Sequence, residues 1–119
     1  MEFDNNVPVY IQILSYLKEL VIKRQLKEGE KMPSVRELAK DLKVNPNTVQ
    51  RAYRELESEG IIVSKRGMGS FVTSDSNSII NLRDEIAKDT VMNFANRMIN
   101  MGFSKKEIMK IIDSYVEGE

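Results

Sequence analysis

Between Asn45 and Arg54 the chain reads Asn-Pro-Asn-Thr-Val-Gln-Arg-Ala-Tyr-Arg, a run dense in amides, a hydroxyl and guanidinium groups and free of acids. Asn47, Thr48 and Gln50 can hydrogen-bond to base edges in a major groove about 12 Å wide, Gln suiting adenine, and Arg51 or Arg54 can serve guanine or phosphate. Asn45 to Thr48 form a helix start whose free N–H groups attract phosphate. A second cluster, Lys65-Arg66-Gly67-Met68-Gly69, sets two cations beside glycines that let backbone and side chain come close to a narrow groove. A third, Ser34-Val35-Arg36, puts a hydroxyl and a guanidinium at a helix start, where free N–H groups attract phosphate. Each has a plainer alternative: a polar helix face that meets water, a solubilising turn, and an ion pair of Arg36 with Asp41 or a nearby glutamate.

Other chemistries are poorly served. The sequence has no Cys and no His, which removes thiolate nucleophiles, imidazole bases, disulfides and the common zinc sites. Asp84 and Glu85 are neighbouring carboxylates, but adjacent helix positions point apart and no nucleophile accompanies them. No catalytic residue, metal ligand or cofactor is therefore assigned, and an enzyme is not expected. With 119 residues the chain has room for one ordinary domain, or a very small one plus an accessory element. No run reaches the roughly 20 apolar residues that span a bilayer, so no membrane partner is expected and the cytoplasm is the expected compartment. The charges, 18 basic and 18 acidic, cancel overall. Residues 34–72 are mildly basic and residues 73–119 mildly acidic, a weak signal.

The elements that must hold the polar clusters follow from periodicity. Tyr10, Ile13, Leu14, Leu17, Leu20 and Val21 recur at helical spacing, predicting a first helix from about Pro8 to Leu26. Ser34 and Glu37 form a capping box for a short second helix, with Val35, Leu38, Ala39 and Leu42 on one face and an end near Lys43. Asn45-Pro46 is an N-cap and first-turn proline for a third helix, which buries Val49, Ala52, Tyr53 and Leu56 and stops at Gly60. Ile61–Ser64 and Ser70–Thr73 read as two short strands joined by the basic tip. Residues 74–77 read as a polar linker. A helix from Ile79 to Met101 follows, then a second capping box at Ser104 and Glu107 that opens a last helix, with Phe103 placed to staple onto Ile108.

Two short helices across a tight turn, with a longer helix before and a hairpin after, make the layout of a winged helix-turn-helix. The expected fold is therefore mainly α with a small β-hairpin wing: a DNA-binding domain over residues 1–73 and a two-helix element over 78–119. Its expected partner is double-stranded operator DNA, with candidate contacts at Ser34, Arg36, Asn45, Asn47, Thr48, Gln50, Arg51, Arg54, Lys65, Arg66 and Gly67. The rival reading is a winged-helix module for protein interaction, which predicts an apolar outer face on the third helix or the wing.

The runs Met32-Pro33-Ser34-Val35-Arg36-Glu37-Leu38-Ala39, Val44-Asn45-Pro46-Asn47-Thr48-Val49-Gln50-Arg51-Ala52-Tyr53-Arg54-Glu55-Leu56-Glu57, Glu59-Gly60-Ile61-Ile62 and Arg66-Gly67-Met68-Gly69-Ser70-Phe71-Val72 closely resemble the GntR family of bacterial regulators. The short two-helix tail resembles the YtrA subfamily, which implies dimerisation through those helices and repression of the protein's own operon and of neighbouring transporter genes. The resemblance implies DNA contacts at Arg36, Asn45, Asn47, Thr48, Gln50, Arg51, Arg66 and Gly67. Many members of the family have arginine where this chain has Gln50, and a basic or hydroxyl residue where it has Pro46, so base preference does not carry over.

Two isolated helices bury little, and a second copy would complete a small bundle. Phe94, Met98, Ile108, Ile111, Ile112 and Tyr115 are the candidate dimerisation residues of a homodimer. Folding back onto the first helix within one chain is the alternative. No small-molecule effector can be named from the sequence.

Overall fold

The computed structural model describes residues 1–118; Glu119, at the end of the expected C-terminal element, lies outside the described residues. The order is α1 (Val9–Ile22), α2 (Val35–Leu42), α3 (Pro46–Ser58), β1 (Ile62–Lys65), β2 (Gly69–Val72), α4 (Ser76–Asn100) and α5 (Lys105–Tyr115). Contacts divide the chain into two compact units, Met1–Arg83 and Asp84–Glu119.

In the first unit α3 is the hub, packed against by α1, α2 and β1. Ile13 and Leu17 of α1, Val49, Ala52 and Leu56 of α3 are all fully buried, with Ile62 and Val72 of the hairpin nearly so. Burial of such aliphatic side chains, at about 1.5–3 kcal/mol each, is what fixes the orientation of α3. The strands pair antiparallel, Ile62 opposite Val72 and Lys65 opposite Gly69. The chain from Gly29 to Met32 covers the outer edge of β2: Met32 N–H donates to Ser70 O at 2.8 Å and Val72 N–H to Glu30 O at 2.8 Å. Those bonds satisfy an edge that would otherwise be open to pairing.

Two helix boundaries differ from the sequence expectation by three residues or more, and the strand ends by one. The first helix stops at Ile22, not Leu26, because Arg24 turns left-handed (φ 60). Gln25 N–H then reaches Leu20 O at 2.9 Å and Arg24 N–H reaches Val21 O at 3.2 Å, a Schellman end built without glycine. The expected linker is also shorter, since Ser76 and Asn77 already lie in α4. Asp75 is the reason: its Oδ1 accepts the Asn77 N–H at 3.0 Å and its Oδ2 the Ser78 hydroxyl at 3.2 Å, so the polar run is a helix cap.

In the second unit, Ser104 and Glu107 form the expected capping box at the start of α5, the Glu107 N–H lying 3.2 Å from Ser104 Oγ. Ile108 is the one residue of this unit that is buried among the described residues, at 6% exposure.

Candidate nucleic-acid interface

The exposed face of α3 is set by what the helix buries. Val49, Ala52, Tyr53 and Leu56 form the inward stripe, so Asn47, Gln50, Arg51 and Arg54, at the complementary three- and four-residue spacing, form an exposed stripe on the opposite side. Thr48 is half-buried on the flank. Tyr53 ties this helix to the loop before α2, its hydroxyl donating to Pro33 O at 2.6 Å. Burial, and secondarily the negative charge of Glu37, push the Tyr53 phenol well above its ordinary value, so it stays a neutral donor.

Ser34 and Asn45 hold structural bonds as well as candidate contact positions. Ser34 Oγ accepts the Glu37 N–H at 3.1 Å, and Asn45 Oδ1 accepts the Asn47 N–H at 2.8 Å. Among the described residues the Ser34 hydroxyl and the Asn45 amide N–H groups donate no hydrogen bond, so both keep donor capacity. Lys43 at the turn between α2 and α3 is left-handed (φ 57), which brings the two helices round in the space of three residues, Lys43 to Asn45. Arg36 is exposed in the first turn of α2. Lys18 to Glu59, at 2.9 Å, is the ion pair among the described residues, so Arg36 pairs neither with Asp41 nor with a nearby glutamate.

The wing tip is Arg66-Gly67-Met68, all three exposed, with Gly67 left-handed (φ 74) and Met68 N–H closing the turn on Lys65 O at 2.9 Å. Lys65 lies back on its own hairpin, its Nζ 4.5 Å from the Phe71 ring centroid. Arg66 is therefore the cation that the tip presents outward. The wing is less polar than the sequence suggested, with Val63 46% and Met68 58% exposed, whereas the outward stripe of α3 carries no apolar side chain.

Sequence reasoning missed one partner of this face. Tyr10, which periodicity marks as a core position of α1, is only half-buried, and the Arg51 guanidinium stacks 3.7 Å from its ring centroid. Nothing local signals that contact, since it joins the first turn of one helix to the outer face of another.

Of the candidate dimerisation residues in the second unit, Tyr115 is 84% and Phe94 40% exposed, Met98, Ile111 and Ile112 are half-buried, and Ile108 is spent on its own chain's packing. A groove of about 380 Å³ runs along α4, lined by Asn93, Phe94, Arg97, Met98 and Met101.

The family described as bacterial regulatory proteins, gntR family, matches residues 9–72, the span that carries α1, the helix-turn-helix and the wing. The chain belongs to the GntR family. A relative along nearly its whole length is the uncharacterised HTH-type transcriptional regulator YhcF of Bacillus subtilis, 35% identical over 98% of this chain and 97% of that protein. The HTH-type transcriptional repressor YtrA of the same organism is 46% identical over 64% of this chain and 58% of its own length. Among solved structures, a GntR family transcriptional regulator from Listeria monocytogenes superposes with a TM-score of 0.89 at 41% identity, covering 97% of this chain and 100% of that one. The DNA-binding domain of AraR in complex with its operator ORX1 gives a TM-score of 0.54 at 27% identity over 56% of this chain and 81% of that one. This GntR protein is thus a transcriptional regulator with a helix-turn-helix DNA-binding domain, from a family of regulators and not of enzymes. No helix among the described residues is long and apolar enough to cross a membrane.

Proposed function

We propose that this GntR regulator is a repressor of its own operon and of neighbouring transporter genes, that it works in the cytoplasm, and that it binds a pseudo-palindromic operator as a homodimer. Residues 1–73 act as the DNA-binding domain and the helices after residue 77 as the dimerisation element. The observation that carries the reading is the exposed, acid-free stripe of Asn47, Gln50, Arg51 and Arg54 on a helix whose other face is locked into a core. In the major groove Gln50 pairs with adenine, and Arg51 or Arg54 with guanine or phosphate. Thr48, Asn45 and the first turn of α3 meet the backbone, with Ser34 and Arg36 at the start of α2 doing the same. Arg66 and Gly67 enter the minor groove, and Lys65 adds charge beside them. The repressor sense is supported by the name of the related YtrA.

Dimerisation is supported by the apolar surface that the second unit leaves in water: Phe94 and Met98 on α4, with Ile111, Ile112 and Tyr115 on α5. A second copy covers that surface and sets two recognition helices about one DNA turn apart, as half-site spacing requires.

The test is a titration of labelled DNA from the protein's own promoter beside a scrambled duplex, at two salt concentrations, with Arg51→Ala and Arg66→Ala for comparison. The expected result is a preference of at least about 100-fold for the promoter. Arg51→Ala then loses about 1–3 kcal/mol, and Arg66→Ala flattens the salt dependence by about one unit of slope. Equal, weak binding of both duplexes by all three proteins overturns the assignment of α3 as a recognition helix.

A further inference from the structure

We infer that Tyr10 is a positioning residue for DNA recognition, holding the Arg51 side chain in its reading orientation before DNA arrives. The inference rests on the proposed contact of Arg51 with DNA. The Arg51 guanidinium lies 3.7 Å from the Tyr10 ring centroid. A guanidinium carries its five N–H donors in its own plane, so stacking on a ring face uses none of them and leaves the bidentate edge open to guanine or phosphate. An exposed arginine otherwise loses rotamer freedom when it binds, and a side chain already held loses less.

Tyr10 is itself held. It stands in the first turn of α1 after Pro8, and the segment before the helix is folded back by Gln12. The Gln12 amide donates from Nε2 to Asp4 O and to Val7 O, both at 2.8 Å, and accepts the Asp4 N–H on Oε1 at 2.8 Å. Asp4 Oδ1 in turn accepts the Asn6 N–H at 2.8 Å. The bracket fixes the entry to α1, and α1 packs on α3 through fully buried Ile13 and Leu17. The ring is thus anchored to the same scaffold as the helix it serves, and α1 contributes to recognition without touching a base.

The experiment is a double-mutant cycle in the full chain, read as affinity for the duplex that the wild-type protein enriches from a random-sequence library. The proteins are wild type, Tyr10→Leu, Arg51→Ala and the double variant, with Tyr10→Phe as the ring-preserving control and a thermal midpoint for each. Tyr10→Leu is expected to weaken binding about fivefold in the wild-type background and less than about twofold when Arg51 is already alanine, while Tyr10→Phe restores most of the loss. An equal penalty in both backgrounds means that Tyr10 merely supports the fold, and overturns the inference. So does an unaltered affinity in Tyr10→Leu. Failure of the wild-type protein to enrich any sequence overturns the DNA-contact reading itself, and the Tyr10 role with it.

Discussion

The two units of this regulator solve the same problem, covering amphipathic helices, to very different extents. Of the fifteen apolar side chains buried among the described residues, fourteen lie in Met1–Arg83 and one, Ile108, in the C-terminal unit. Val91, Met92, Ile99, Met101, Met109 and Tyr115 are each more than half exposed. Both units have well-capped helices, since Ser34 and Ser104 form the same capping box. What separates them is a third layer: in the first unit α1 and the hairpin close over α3, and the second is two helices alone. Capping supplies local order, but a core needs elements on more than one side.

The largest expected difference is in the core. Leu56→Ala empties a fully buried site at the centre of the first unit and should lower unfolding free energy by about 3 kcal/mol in denaturant titration. A cost below about 1 kcal/mol would mean that α3 is not the hub. Next is Tyr53→Phe, which removes the bond to Pro33 and leaves that carbonyl unpaired, at a cost of about 1 kcal/mol near neutral pH. The pH dependence has a definite sign. The folded phenol is raised above its ordinary value of 10.0, so the neutral form is favoured by folding. That contribution is fully present below the unfolded value and is lost as pH rises beyond it. The gap in thermal midpoint between wild type and Tyr53→Phe should therefore shrink above about pH 10, and a gap that widens there would contradict the buried, neutral assignment.

The matched caps sharpen the contrast. Ser34→Ala and Ser104→Ala remove the same bond, each costing about 1 kcal/mol of helix stability. Hydrogen exchange should show Ser34→Ala opening α2 and weakening DNA binding together. Ser104→Ala should open α5 and leave α2 protection unchanged. The smallest effect is expected at Arg24, whose left-handed conformation glycine adopts at no steric cost, so Arg24→Gly should raise stability by about 0.5 kcal/mol or leave it level. A clear loss would show that the side chain is needed there.

The helix-turn-helix was legible because its signals are local. Ser34 with Glu37, Asn45 with Pro46, and Gly60 at the end of α3 each specify a boundary within four residues, and the buried stripe of α3 then dictates which side chains face outward. The misread boundaries lacked such signals. Arg24 ends α1 where a glycine would have announced it, and the Asp75 cap hides in a run of serines and asparagine that has the composition of a linker. Least legible were contacts between elements distant in sequence, the Arg51 stack on Tyr10 and the seat of Lys65 on Phe71, because neither residue type nor spacing encodes a pairing made only once the chain has folded. The burial of Ile108 is illegible for a related reason: periodicity gives the apolar face of α5 but not which of its members the same chain already covers.

The most direct test of the proposal that the first unit reads DNA and the C-terminal unit pairs with a second copy is the affinity of the full chain for a duplex with two half-sites and for one with a single half-site, in wild type and in Phe94→Asp. The wild-type protein should bind the two-site duplex at least about 100-fold more tightly than the single site, because the second contact becomes intramolecular. Phe94→Asp should lose that advantage while keeping the single-site affinity. Retention of the full two-site advantage by Phe94→Asp, or loss of single-site binding along with it, would contradict the account.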